Sequence, residues 1–269
     1  MNKIIIKFLI YGFALNVSHG AFQAKVHLNT GATLIDNQID IIDNSLILGS
    51  KKSTINTSFV NNIEFLFNDF NHQICESLFK RGKYTSLEGL LEEISLLRKF
   101  SNLNSNLNIY YSWLLKSQIW NNNIEEAKES IEFLSLSNDE TSKVLSDLYN
   151  VYILLLDDDY INAKKYLSKI KNPNEVSESM TLYLKSKIDF HEKKYSNSLE
   201  KISKIQAFHA QDEEWIPPTL ILELNIYLEK KQYERASNVI DEIKWSYPNS
   251  YWINNVELLL EKHSLGGMI

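Results

Sequence analysis

Cysteine is almost missing. Cys75 is the only one in 269 residues, so no disulfide can close within the chain. Proline and glycine are scarce as well, at 4 and 8 residues, which suits a chain of long helices and argues against collagen-like or linker-rich organisation. Positive charge is in deficit. The formal net charge is −6, and from Tyr84 onward 28 acidic residues face 20 basic ones, which argues against a phosphate-binding nucleic-acid surface. Long apolar runs are absent too. The one at the start, residues 8–17, is too short to span a bilayer. The motifs of common chemistry are missing: there is no phosphate loop, no glycine-rich dinucleotide turn, no G-x-S-x-G, no H-E-x-x-H and no paired-cysteine metal site.

What is present is a recurring pattern. It reads I-E-E-A at Ile124, Y-I-N-A at Tyr160, Y-S-N-S at Tyr195 and Y-E-R-A at Tyr233, with a weaker copy, Y-T-S-L, at Tyr84. The fourth residues, Leu87, Ala127, Ala163, Ser198 and Ala236, follow one another at steps of 40, 36, 35 and 38 residues. Four residues after each comes Leu91, Ile131, Leu167, Ile202 or Ile240. Seven after comes Ile94, Leu134, Ile170, Ile205 or Ile243. All are apolar, and this spacing is one face of a helix. An earlier face precedes each copy: His72, Cys75, Phe79; Ser112, Leu115, Ile119; Leu148, Val151, Leu155; Tyr183, Ser186, Phe190; and Ile221, Leu224, Leu228. Polar breaks separate the two faces, so each unit reads as helix, turn, helix, at a period typical of helical-hairpin arrays.

These units resemble the tetratricopeptide repeat family. The likeness rests on the aromatic that ends the turn, Tyr84, Tyr160, Tyr195 and Tyr233, on the small residues Ala127, Ala163, Ala236 and Ser198, and on Pro248 closing the last copy. The family's Trp near the unit start and its Leu-Gly pair are missing. Its turn glycine survives only as Gly82, and Leu87 is large where the family has Ala. The resemblance implies a mainly α fold, an α-α solenoid of about five hairpins over residues 69–269 capped by a last helix, residues 251–262. It further implies a concave face that binds a protein or peptide. Lys116, Tyr152, Lys187 and Asn225 occupy the slot that faces the concave side in this family, 11 residues before their anchors, and are the expected binding residues. No cofactor is implied.

Residues 1–20 read as a secretory signal. Lys3 and Lys7 precede the apolar run, and Ser18-His19-Gly20 offers small residues for a cut before Ala21. No cysteine stands there for lipid attachment. The expected location is therefore exported, periplasmic or secreted, with no membrane span after cleavage. Residues 21–68 read as a small antiparallel β-meander. Lys25–Leu28 alternates, Thr33–Ile42 alternates as one long strand, and three more short runs are parted by turn signals. This unit is expected to lean on the first helical hairpin.

The remaining clusters read as structural. His72 and Cys75 could share a metal only with further ligands, and Cys75 sits in a packing slot. Asp157-Asp158-Asp159 falls in a turn just before a helix, where acidic groups complement the helix dipole. Aromatics cluster at Tyr110, Tyr111, Trp113 and Trp120, and again at Trp215, Trp245, Tyr247, Tyr251 and Trp252. The expected function is a non-enzymatic scaffold of the bacterial cell envelope. The alternatives are an accessory subunit or enzyme acting on cell-wall or glycan substrates, or an outer-membrane assembly factor.

Overall fold

A computed structural model describes residues 22–51, 53–248 and 250–263. The expected signal segment lies outside them. The chain is mainly helical, with two small antiparallel sheets at the N-terminal end. Strands β1 (Phe22–Leu28), β2 (Thr33–Asp36), β3 (Ile39–Ile42), β4 (Ser45–Leu48), β5 (Ser53–Asn56) and β6 (Val60–Phe67) form sheets ordered β2-β1-β6 and β3-β4-β5. This corrects the single meander. The stretch read as one long strand breaks after Asp36, whose buried carboxylate accepts from the backbone of Gln38 at 2.8 Å and turns the chain into a second sheet. Strand β6 then returns to pair with β1, and Ala24, Val26, Ile63 and Phe65 are fully buried between them and the helices.

Eleven α-helices follow among the described residues: α1 (His72–Lys80), α2 (Tyr84–Leu91), α3 (Leu107–Trp120), α4 (Ile124–Leu136), α5 (Glu140–Leu156), α6 (Tyr160–Leu167), α7 (Pro173–His191), α8 (Tyr195–Phe208), α9 (Ile216–Glu229), α10 (Tyr233–Ser246) and α11 (Tyr251–Lys262). A 3₁₀ stretch, Glu92–Phe100, continues α2. Helices α1 to α10 pair as five hairpins, and the second helix of each opens at Tyr84, Ile124, Tyr160, Tyr195 or Tyr233.

The five turns share one backbone shape. Gly82, Asn122, Asp158, Lys193 and Lys231, each two residues before the second helix, adopt positive φ, at 65°, 62°, 57°, 60° and 56°. In each turn the next N–H reaches back to the carbonyl five residues earlier, from Lys83 to Leu78, Asn123 to Gln118, Asp159 to Leu154, Lys194 to Asp189 and Gln232 to Tyr227, at 2.8 to 2.9 Å. This is the bond that closes a helix through a left-handed residue, and it satisfies a carbonyl otherwise left orphaned at the helix end. The five anchors are all fully buried. The Asp run has a structural role here: Asp159 accepts from the backbone N–H of Asn162, and Asp158 from the hydroxyl of Tyr160 at 3.0 Å.

Two helices depart from the sequence pattern. Helix α6 stops at Leu167, so Ile170 lies beyond its end and is only half-buried. Helix α7 is broken at Ser177 (φ −155°, ψ 99°), where the serine hydroxyl accepts from the N–H of Met180 and starts the main segment afresh. The sheets lean less on the first hairpin than on the approach to the second. Asn106, just before α3, accepts from the backbone N–H of Phe65 and donates to its carbonyl, both at 2.8 Å. Phe67 stacks on Phe70 and meets Tyr110 edge-on. No helix among the described residues is long and apolar enough to cross a membrane.

Candidate binding site

The residues expected on the concave side come from the first helices of four hairpins, and an unforeseen segment meets two of them. Between α8 and α9, Asp212 accepts through one carboxylate oxygen from the N–H groups of Glu214 and Trp215, at 3.1 Å each. Its other carboxylate oxygen is held by the Ser179 hydroxyl. This tight turn throws Glu214 and Trp215 inward, where they are 7% and 2% exposed.

Glu214 lies between two partners. Lys116 pairs with one oxygen at 2.6 Å, and the Tyr149 hydroxyl donates to the other. Trp215 sits in a box of rings, with centroids of Tyr183 at 5.2 Å, Tyr152 at 5.5 Å, Trp120 at 5.9 Å and Tyr149 at 6.2 Å. Offset and edge-on contacts of this kind add to the apolar burial of each ring. Burial holds the phenols of Tyr149, Tyr152 and Tyr183 above their ordinary pKa, Tyr149 further through the Glu214 charge beside it. They remain neutral hydrogen-bond donors at physiological pH. The ammonium of Lys116 also lies over the rings of Trp113 and Phe79, at 5.1 and 5.7 Å.

Of the four expected residues, then, Lys116 and Tyr152 converge on the Glu214-Trp215 wedge. Lys187 and Asn225 do not. Lys187 is half-buried one turn after Tyr183. Among the described residues it has no ion pair or hydrogen bond. Burial lowers its pKa, opposed by the charge of Asp158 nearby. Asn225 stands apart on α9, and its buried side-chain oxygen has no donor. Sequence reasoning missed Glu214 and Tyr149. The available signal was the acidic run Asp212-Glu213-Glu214 ahead of Trp215, placed where the repeat step lengthens to 38 residues.

The two ends of the helical region also meet. Trp252 at the start of α11 contacts Trp120 of α3 edge-on at 5.3 Å. Beside this contact a cleft of about 590 Å³ opens between the α1–α2 turn and the α10–α11 connection. Tyr84 and Tyr247 flank it. The Tyr84 phenol is pushed up to about 12 by burial and then by the charges of Glu214, Tyr247 and Glu213. The Tyr247 phenol is pushed up to about 12 by burial, Glu213 and Glu242. Among the described residues no group of three His, Cys, Asp or Glu side chains is placed to hold a metal ion. His72 accepts a hydrogen bond from the Trp113 indole at 3.0 Å, and Cys75 is fully buried. Comparison with protein families, curated proteins and solved structures returns no match for this chain.

Proposed function

We propose that the chain is a non-enzymatic binding scaffold of the cell envelope: a tetratricopeptide-like array of five hairpins whose inner face captures a protein or peptide. The observation that carries this reading is the unmet polar chemistry on that face. Lys187 offers an ammonium with no ion pair among the described residues, and Asn225 a buried amide oxygen with no donor. Buried polar groups are normally satisfied by protein or by ordered water, so a ligand that reached these two groups would supply a missing partner. Lys116 and Tyr152 support the surface from below, by fixing the Glu214-Trp215 wedge that shapes it. The repeated turns support the array, because hairpins of one geometry stack by one rule and build an extended surface.

The test is a peptide-display selection on the purified chain, followed by calorimetry of the selected peptides on variants. Lys187→Met and Asn225→Leu are expected to weaken binding, while the exposed control Lys165→Met leaves it unchanged. A selection that yields no binder, or binders indifferent to both substitutions, would overturn the reading.

A further inference from the structure

The cleft between the two ends of the helical region has a chemistry different from the inner face. Its side-chain lining is Phe79, Tyr84, Tyr247, Tyr251 and Trp252, Pro217 and Pro248, the hydroxyls of Ser246 and Ser250, and four charged groups. No Leu, Ile, Val or Met lines it. The charges are Lys80, Arg81 and Lys83 against a single carboxylate, Glu213. On a chain with net charge −6, this is a local positive excess. Lys80 is partly answered by Glu76 at 3.2 Å, but Arg81 and Lys83 are exposed and have no ion pair among the described residues.

We propose that this cleft is a binding site for an acidic oligosaccharide, one whose sugar rings carry carboxylates. Three features favour a sugar over a peptide. Flat rings whose only aliphatic neighbours in the lining are Pro217 and Pro248 suit the C–H face of a pyranose, which settles on the electron-rich face of an aromatic ring. They provide no deep aliphatic pocket for a peptide's apolar anchor. The polar groups are hydroxyls, two ammonium groups, a guanidinium and a carboxylate, which donate to and accept from sugar hydroxyls. No strand edge lines the cleft to hydrogen-bond a peptide backbone, since β1 to β6 take no part in it. The positive excess selects a ligand with carboxylates, and the Arg81 fork matches one such group in two-point contact. The volume of about 590 Å³ lies within the range of roughly 300–1,000 Å³ common to small-ligand pockets. Tyr251, 55% exposed and edge-on to Trp252 with centroids 5.4 Å apart, forms the accessible platform.

The experiment titrates the full chain with tetragalacturonate, with neutral maltotetraose and with a tetraglutamate peptide, read by calorimetry and by saturation transfer from protein aromatic protons. Tetragalacturonate is expected to bind, with maltotetraose at least about tenfold weaker, and binding is expected to weaken as salt is raised. Arg81→Glu with Lys83→Glu, and separately Tyr251→Ala, should each weaken the uronate by about tenfold or more, with thermal midpoints unchanged because all three side chains are exposed. Saturation transfer on the unaltered chain keeps the test valid should a variant misfold. Equal binding of tetraglutamate would show that the cleft reads charge alone and overturn the proposal. Absence of uronate binding, or loss in neither variant, would overturn it too.

Discussion

At the residue scale, the anchor positions show how degenerate repeats stay packed. Ser186 and Ser198 lie opposite each other across the α7–α8 hairpin, hydroxyl to hydroxyl at 2.8 Å, with the carbonyl of each within 2.9 to 3.1 Å of the other's hydroxyl, so that their two protons are shared among three contacts. They are 12 residues apart. The same offset separates Leu115 from Ala127, Val151 from Ala163, Leu224 from Ala236, and Cys75 from Leu87, and the same hairpin register would set each pair face to face. In the first hairpin the large and small partners have changed places, and all of these residues are fully buried. On this register Leu87 would be accommodated by the small Cys75. Leu87→Ala alone should cost about 2–5 kcal/mol as a cavity, and Cys75→Leu alone about 1–3 kcal/mol as overpacking. Denaturant unfolding of the double variant should show recovery, with a coupling of about 1 kcal/mol or more. Strict additivity would mean that the two side chains do not share a site. The turns carry a second residue-level effect. Lys193 and Lys231 hold a left-handed conformation that costs a side chain roughly 1–2 kcal/mol and costs glycine little. Lys231→Gly should therefore stabilise the protein by roughly 0.5–1 kcal/mol net of unfolded-chain entropy, seen as a higher urea midpoint at unchanged slope. A lower midpoint would show that the lysine side chain makes a contact worth more than the strain.

Among the elements, Asn106 joins the sheets to the helices. Its amide imitates a neighbouring strand, taking the N–H and giving to the C=O of Phe65, a residue with no exposed surface. Asn106→Leu would orphan both groups at roughly 1–3 kcal/mol. Hydrogen exchange at the Phe65 amide is expected to speed up far more than exchange within β4. Unchanged protection at Phe65 would show that strand pairing alone holds β6. This joint could not be read beforehand, because an asparagine before a helix looks like any capping residue. The helical hairpins were legible, since a period of three to four residues is a local property and the anchors sit where it placed them. The split of the sheet was not. Thr33 to Ile42 reads as alternating around Leu34 and Ile39, but the polar run Asp36-Asn37-Gln38 interrupts it, and the buried Asp36 carboxylate, bonded to the Gln38 backbone, makes the break. Slot counting named Lys116 and Tyr152, which meet the Glu214-Trp215 wedge, but the wedge itself comes from a connection outside the repeat, where no period points to it.

For the whole molecule, the apolar interior divides in two, and α9 is the partition. Leu222 and Ile226 on one side of it join the large core that runs from β1 to α8. Leu220, Leu224 and Leu228 on the other join a smaller core with Ala236, Val239, Ile240, Ile243, Trp252, Val256 and Leu260. If stability is a sum of unit and interface terms, the smaller core can fail while the larger one stands. Removing residues 251–269 deletes Trp252, Val256 and Leu260 and uncovers the face formed by Leu224, Leu228 and Ile240. Helix α10 is then expected to lose its exchange protection. Helix α9 should keep part of its own, because its other face stays packed, and β1 to α8 should keep theirs. The truncation also takes Trp252 from Trp120 and removes one wall of the cleft, so tetragalacturonate binding should vanish while peptides selected on the inner face still bind. Loss of protection along the entire chain at once would mean that the contact between Trp120 and Trp252 closes the helical region into one cooperative body. In that case the array reading fails, because neighbour-by-neighbour stacking requires that distant hairpins survive the loss of the end.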